Sequence, residues 1–197
     1  PDAPETADTK TMGMTCALRG RETGAPVPFT APDFAKKLTA EDFAGRHPNL
    51  RNSGENFWYL ELGGEGDSIA GTDETAEELA ALNAGVWDYV KKAGGAENWE
   101  LDCFGFLPGK RESRRMTGEY TLTQQDIMNA APFADTVAYG GWPLDDHDPS
   151  GFARTATKNT DIPTASPYPV PYRVLYSANV ENLFFAGRNI STTHIAM

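Results

Sequence analysis

Across residues 73–93, Leu79, Leu82, Val86 and Val90 recur at intervals of three or four, with Ala76 and Trp87 beside them. That is the α-helical period, and it gathers the apolar side chains on one stripe. Asp73 and Glu74 open the run, Lys91 and Lys92 close it, and Gly94-Gly95 follows. Acid first, base last and glycine beyond is the order that the helix dipole and a helix C-terminus favour. A helix with one apolar stripe must bury it, so the rest of the chain has to build a layer against it.

The rest offers short, interrupted pieces. Met12, Met14, Cys16 and Leu18 alternate with smaller or polar residues, which predicts a half-buried strand ended by Pro26, Pro28 and Pro32. Helical turns are expected at 33–37 and 40–45, the second opened by Thr39 with Asp42 three residues on. Residues 46–55 have loop composition, and 56–62 (NFWYLEL) places Trp58, Leu60 and Leu62 on one face of a strand. Strands at 99–106 and 115–122 flank a turn at Pro108-Gly109, and Thr123 with Asp126 caps a short helix stopped by Pro132. A short strand at 136–139, a polar loop at 148–166 and a proline-stiffened approach to 173–176 lead to 182–186 (NLFFA), which reads as a buried strand. Without a βαβ rhythm, the expected class is α+β, a mixed, mostly antiparallel sheet with flanking helices.

Composition narrows the function. A chain of 197 residues with 40% hydrophobic and 11% aromatic content can bury a core and is not a disordered tail. A formal net charge of -11 argues against nonspecific binding to nucleic acid. No apolar run approaches the ~20 residues of a membrane span, and the polar PDAPETADTK does not read as a signal peptide. Soluble is the expectation; cytoplasmic and exported are not distinguished. Cys16 and Cys103 are too few for a disulfide framework and lack metal spacing.

Two glycine-rich stretches fail as phosphate loops. Gly64-Glu-Gly66 has Ile69 where a dinucleotide fingerprint needs its third glycine, and Gly105 to Arg111 has neither the P-loop spacing nor its Ser/Thr. Asn189-Ile-Ser191 is a formal glycosylation sequon beside an apolar run expected to be buried.

Three clusters could carry chemistry. Lys110, Arg111, Arg114 and Arg115 concentrate positive charge in an acidic chain, as an anion clamp or as a solvated turn paired to nearby acids. On a strand Arg114 and Arg115 point to opposite faces, so one of them at most serves a given pocket. The turn 140–149 (GGWPLDDHDP) carries Trp142 and His147, the latter flanked by acids that favour its charged form. It reads as an acid/base site, a metal site or an acidic loop around a structural Trp. Arg188, Asn189, Ser191, Thr192, Thr193 and His194 follow the apolar 182–186 run and form a dense polar set. His194 taken alone could equally be a satisfied core histidine.

Four of these segments together resemble the bacterial FAD-dependent oxidoreductase family. PYRVLYSANVENLFFAGRNISTTHIA is similar to that family's C-terminal flavin-binding stretch. PGKRESRRMTGEYTLTQQDI, AYGGWPLDDHDP and TMGMTCALRGRETGAPVPFTAP resemble further segments in the same order, covering about Thr11 to the end. The polar opening at 1–10 is expected to be flexible from its composition, and the resemblance implies an inserted substrate-binding α+β domain over 11–166 and the returning edge of a FAD-binding domain at 167–197. It implies that Gly187, Arg188 and Asn189 lie near the FAD diphosphate and ribityl. Ser191, Thr193 and His194 would then lie near the isoalloxazine, with His194 the catalytic candidate at its N1–C2 edge. Arg114, Arg115, Trp142, His147 and Arg173 would line the side of a small organic substrate that exchanges a hydride with the flavin.

The chain has no G-x-G-x-x-G on a strand–helix turn. The expectation is therefore a piece of a longer enzyme with an incomplete FAD domain. Its partner would be the remainder of that domain; the piece alone would be inactive and bind FAD weakly or not at all. Two rivals remain from the residues themselves: a carbohydrate-binding or structural α+β module stacking sugars on its aromatics, and a metal-dependent hydrolase built on Asp145, Asp146 and His147.

Overall fold

The long periodic run folds as α1 (Thr72–Ala93), with Leu79, Leu82, Val86 and Val90 all buried. Lys91 closes its C-terminal end, where Nζ donates to the carbonyl oxygens of Ala96, Glu97 and Trp99 at 2.7, 3.1 and 2.9 Å. The structure is a computed structural model that describes residues 6, 9–43, 46, 48, 50, 57–111, 114–153, 160–165 and 167–196. Most of the N-terminal stretch, most of the loop at 46–55, residues 44–45 of the second expected helical turn and residues 154–159 of the polar loop lie outside the described residues.

Contacts group the chain into two compact units: Thr9–Arg111 with Asp148–Thr157, and Glu112–His147 with Lys158–Met197 and Pro1–Asp8. These are packing units. The functional boundary expected between 166 and 167 falls inside the second of them.

In the first unit α1 is covered on more than its stripe, because Asn83, Ala84, Gly85 and Trp87 are buried as well. Phe43, Tyr59, Leu60, Leu82, Val86, Val90, Ala96 and Phe152 form the main core, and Met14, Cys16 and Leu79 form a second cluster. Met12, Met14 and Cys16 are buried as expected, but Gly13 between them is buried as well, and the strand is split into β1 (Met14–Thr15) and β2 (Leu18–Glu22). β1 pairs antiparallel with β3 (Glu61–Leu62), and β2 pairs antiparallel with β4 (Trp99–Phe104). Cross-strand ion pairs Arg19–Asp102 at 3.1 Å and Arg21–Glu100 at 2.6 Å lie along the second of these ladders. The 56–62 strand is corrected: Phe57–Tyr59 is a 3-10 turn and only Glu61–Leu62 is strand. Tyr59, Leu60 and Glu61 are buried in succession, so an alternating face has nothing to select. The two expected helical turns reduce to a bend at 33–35 and a 3-10 turn at Glu41–Phe43, where Asp42 accepts the Thr39 N–H at 2.7 Å.

In the second unit Thr123 and Asp126 form a complete capping box on α2 (Gln124–Met128). β5 (Thr136–Gly140) pairs with β8 (Tyr168–Pro171), and β6 (Leu144–Asp146) pairs with β7 (Thr160–Ile162), both antiparallel. β6 and β7 form where turn and loop were expected, because the polar composition of 144–162 conceals a short ladder with one apolar pair, Leu144 and Ile162. Leu122, Ile127, Leu144, Val174 and Ala196 make the core.

Mixed α/β character and antiparallel pairing therefore stand, while the expected sheet is divided into four two-stranded ladders among the described residues. Two expected strands are corrected. Residues 115–122 are extended but irregular, joined to neighbours by bridges at Gly118 and Leu122. Residues 182–186 are the second arm of a small hairpin, with the Ser177 N–H on Leu183 O at 3.0 Å and the Phe185 N–H on Leu175 O at 2.7 Å. A continuous apolar run is buried only when a sheet flanks it on both sides. Here one neighbour is present, Phe185 is buried and Phe184 is 63% exposed.

Lys36 N–H donates to Ala81 O at 2.9 Å, bringing the 32–37 connector across α1 at Gly85, where a Cβ would run into the Lys36 carbonyl. Helix propensity alone favours Ala over Gly by about 1 kcal/mol. Gly85→Ala is nevertheless expected to destabilise the protein, read as a lower urea midpoint; a raised midpoint would show the crossing to be loose.

Candidate functional site

The polar tail is held on one side by the extended stretch 116–122 and on the other by Val174, at the end of the 3-10 turn Tyr172–Val174. Asn189 O accepts the Met116 N–H at 3.0 Å, and Ser191 O accepts the Leu122 N–H at 3.0 Å. The Thr193 N–H donates to Leu122 O at 2.9 Å, and the Ser191 N–H reaches Val174 O on the other side at 3.1 Å. A Cβ at Gly118 would lie 2.7 Å from Arg173 O and 2.8 Å from Ser191 Cβ, so only glycine fits where the three segments meet. Ser191 Oγ and Thr121 Oγ1 are 3.3 Å apart.

The start of the tail is different. Gly187 takes φ +88°, and the nearest atom to a Cβ built there is Asn189 Oδ1 at 3.8 Å, so the backbone is open on that side. Arg188 is exposed and Asn189 half-buried. Thr192 and Thr193 are buried, and their hydroxyls have no hydrogen-bond partner among the described residues.

β6 carries the second group. Its side chains alternate, which puts Asp145 on one side and Asp146 on the other, and His147 follows its last residue. His147 is buried with Nε2 2.8 Å from Asp145 Oδ2. Asp146 Oδ1 is 3.8 Å from Nε2 of His194, which opens the 3-10 turn His194–Ala196. Register also sets Asp145 directly opposite Asp161. Trp142 is 76% exposed just before β6, its carbonyl accepting the Thr164 hydroxyl at 3.2 Å. Asp145, Asp146 and His147 do not converge, and among the described residues no group of three His, Cys, Asp or Glu is placed to hold a metal ion.

Arg173 is committed to the protein. Its Nε and Nη2 donate to the two oxygens of Asp135 at 3.0 and 3.3 Å, and its guanidinium lies 5.1 Å from the Tyr120 ring centre. The hydrogen bond from Arg173 holds the Asp135 carboxyl below its ordinary range, and the same bond raises the guanidinium. Burial, then the hydrogen bond to Asp126, pushes the Tyr120 hydroxyl up. The basic run is divided: Lys110 donates to Thr72 Oγ1 at 2.8 Å and Arg111 pairs with the buried Glu61 in the first unit. Arg114, exposed, and Arg115, half-buried, belong to the second unit, beside the Met116–Asn189 bond.

The structure thus brings Ser191 and Thr193 against 118–122 and Val174, and His147 and His194 to opposite sides of β6. Sequence reasoning named Thr192 only within the polar set and passed over Gly118, Thr121 and Asp135. Gly118 had a signal in the RRMTGEY string; the other two had none.

The class so defined is a mixed α/β protein with a polar segment held between the irregular stretch 116–122 and the 3-10 turn ending at Val174, and an open glycine turn at its head. The family profile FAD dependent oxidoreductase matches residues 10–197, and the chain belongs to the FAD-dependent oxidoreductase family. Comparison with curated proteins and with solved structures returned no significant match. No helix among the described residues is long and apolar enough to cross a membrane.

Asp135→Asn is expected to lower stability at neutral pH through loss of the Arg173 pair. Because the folded carboxyl titrates below its unfolded value, the contribution is complete above the unfolded range near pH ~4 and is lost as pH falls through the folded value. Urea midpoints of the two proteins should therefore differ at pH 7 and converge in strong acid; a difference that persists there would assign the effect to packing.

Proposed function

We propose that this chain supplies the flavin-facing tail and a substrate-facing surface to an oxidoreductase that moves a hydride between a small organic molecule and FAD. The observation that carries the reading is the tail itself: an open left-handed turn at Gly187 running into two buried, unpartnered hydroxyls, Thr192 and Thr193. Buried polar atoms left without partners are rare in folded proteins unless a ligand or water completes them. A glycine with room above it lets a bulky anion approach the backbone, and the exposed Arg188 beside it matches a diphosphate in charge and geometry. The residues present fit the cofactor that the family implies.

In this reading Gly187, Arg188 and Asn189 hold the diphosphate and ribityl, while Ser191, Thr193 and His194 face the isoalloxazine. Bound FAD supplies the ring that takes up or gives back the hydride. The chain binds, orients and shields it. Ser191 is fixed for that task by Thr121 and by main-chain bonds on both sides. His194 can hold a proton at Nε2, and a positive charge there would favour negative charge developing at the N1–C2 edge. On the substrate side Trp142 offers an exposed flat face, and Arg114 and Arg115 offer positive charge for an acidic group. His147 contributes a buried imidazole already oriented by Asp145, and Arg173 contributes a position fixed by Asp135. Leu183 and Phe184, exposed on their hairpin, are the surface we assign to the remainder of the FAD domain, without which the chain is inactive. The carbohydrate-binding alternative is weakened because Trp87 is buried and Trp99 half-buried, so that among the indoles whose burial is described Trp142 is the exposed one.

Backbone amide exchange with and without millimolar FAD tests the reading. Slowed exchange is expected across 186–194, with Arg188→Ala weakening the interaction about tenfold, the scale of one charge-assisted hydrogen bond. Protection confined to other segments would overturn it.

A further inference from the structure

The two carboxylates of β6 lie next to each other in sequence yet meet different histidines. Leu144 and Asp146 share one side of the strand by alternation. Leu144 is buried in the same cluster as Ala196, and Asp146 meets His194, two residues before Ala196. The turn His194–Ala196 is thus held against β6 at an apolar point and at a charged one. On the opposite side Asp145 accepts from the buried His147 at 2.8 Å. α2 also packs on this turn, but its acid Asp126 is occupied by the Thr123 cap and the Tyr120 hydroxyl. Thr192 and Thr193, which precede the histidine, are neutral. Among the described residues, Asp146 is thus an acid that the fold brings to His194.

We propose that Asp146 is the positioning residue for His194, drawing the imidazole toward its carboxylate by charge across 3.8 Å and favouring its protonated form. This rests on the reading of His194 as the group facing the flavin, and it adds the carboxylate that makes the histidine a better cation there. No bond is made or broken by Asp146. The pair lies at the surface, with 37% of the His194 side chain and 51% of the Asp146 side chain exposed, so the effect is a modest bias rather than a locked charge.

The test is an NMR titration of the histidine ring protons in the chain without FAD, with His194→Gln assigning the signal among the three histidines. Asp146→Asn is expected to move the His194 midpoint to lower pH by a few tenths of a unit, and Asp146→Glu to restore most of it. Asp145→Asn should move His147 and leave His194 in place. An unmoved His194 midpoint in folded Asp146→Asn overturns the proposal, as does an equal shift from Asp145→Asn, which would be a general charge effect. If Asp146→Asn does not fold, the wild-type protein decides: a through-space cross-peak between the His194 ring and the Asp146 β-protons supports the pair, and its absence overturns it. Because the titration contains no FAD, a shifted midpoint without cofactor protection at 186–194 would sink the flavin assignment alone. Protection with an unshifted midpoint would sink the pairing alone.

Discussion

The second unit depends on the main-chain hydrogen bonds of an extended segment that is not a regular strand. Residues 116–122 give the Met116 and Leu122 amides to the tail and the Tyr120 amide to Arg173 O, and they accept from Thr193 and Ala178. Each buried amide or carbonyl left unpaired would carry a desolvation cost, so the segment cannot move without exposing partners on both sides. That fixes where Ser191, Thr192 and Thr193 face. Gly118 is the residue through which it is achieved, because any side chain there would push Arg173 and Ser191 apart. The polar tail owes its geometry to this sharing of one segment between two neighbours, and only its head at Gly187 is left open.

In the first unit the governing constraint is the coverage of α1. The sequence period accounts for Leu79, Leu82, Val86 and Val90, but Asn83 and Trp87 are buried too, Asn83 donating to Cys16 O at 3.3 Å. Trp87 lies against Gly20 of β2, and Lys36 hydrogen-bonds the helix backbone at Ala81. A helix buried around most of its circumference needs small residues where backbone crosses it, and Ala84 with Gly85 supplies them.

What was legible in the residues divides along physical lines. α1 and the Thr123–Asp126 capping box were readable because each is set by interactions within a few positions of sequence. The ladders were not. β6 was hidden inside an acidic turn, and 182–186 looked buried because apolar composition reports a preference for burial without naming the partner that provides it. Family membership was legible from four linked segments. The pairing of Asp146 with His194 was not, since two residues separated by 48 positions meet only through the path of the chain. Arg173 shows the reverse: the resemblance implied a place on the substrate side, and the fold pairs it with Asp135, which the sequence did not signal.

Lys91 has a consequence for chemical reactivity. Its ammonium is shared among three carbonyl oxygens at the end of α1, whereas the neighbouring Lys92 makes one ion pair with Asp88 at 2.6 Å and is exposed. An amine-directed acylating reagent needs the nitrogen lone pair, which Lys91 offers only after surrendering its hold on the loop to β4. The two adjacent lysines should therefore acylate at unequal rates while α1 is intact and at similar rates once it frays. Their labelling ratio would be a covalent record of whether the helix terminus is closed.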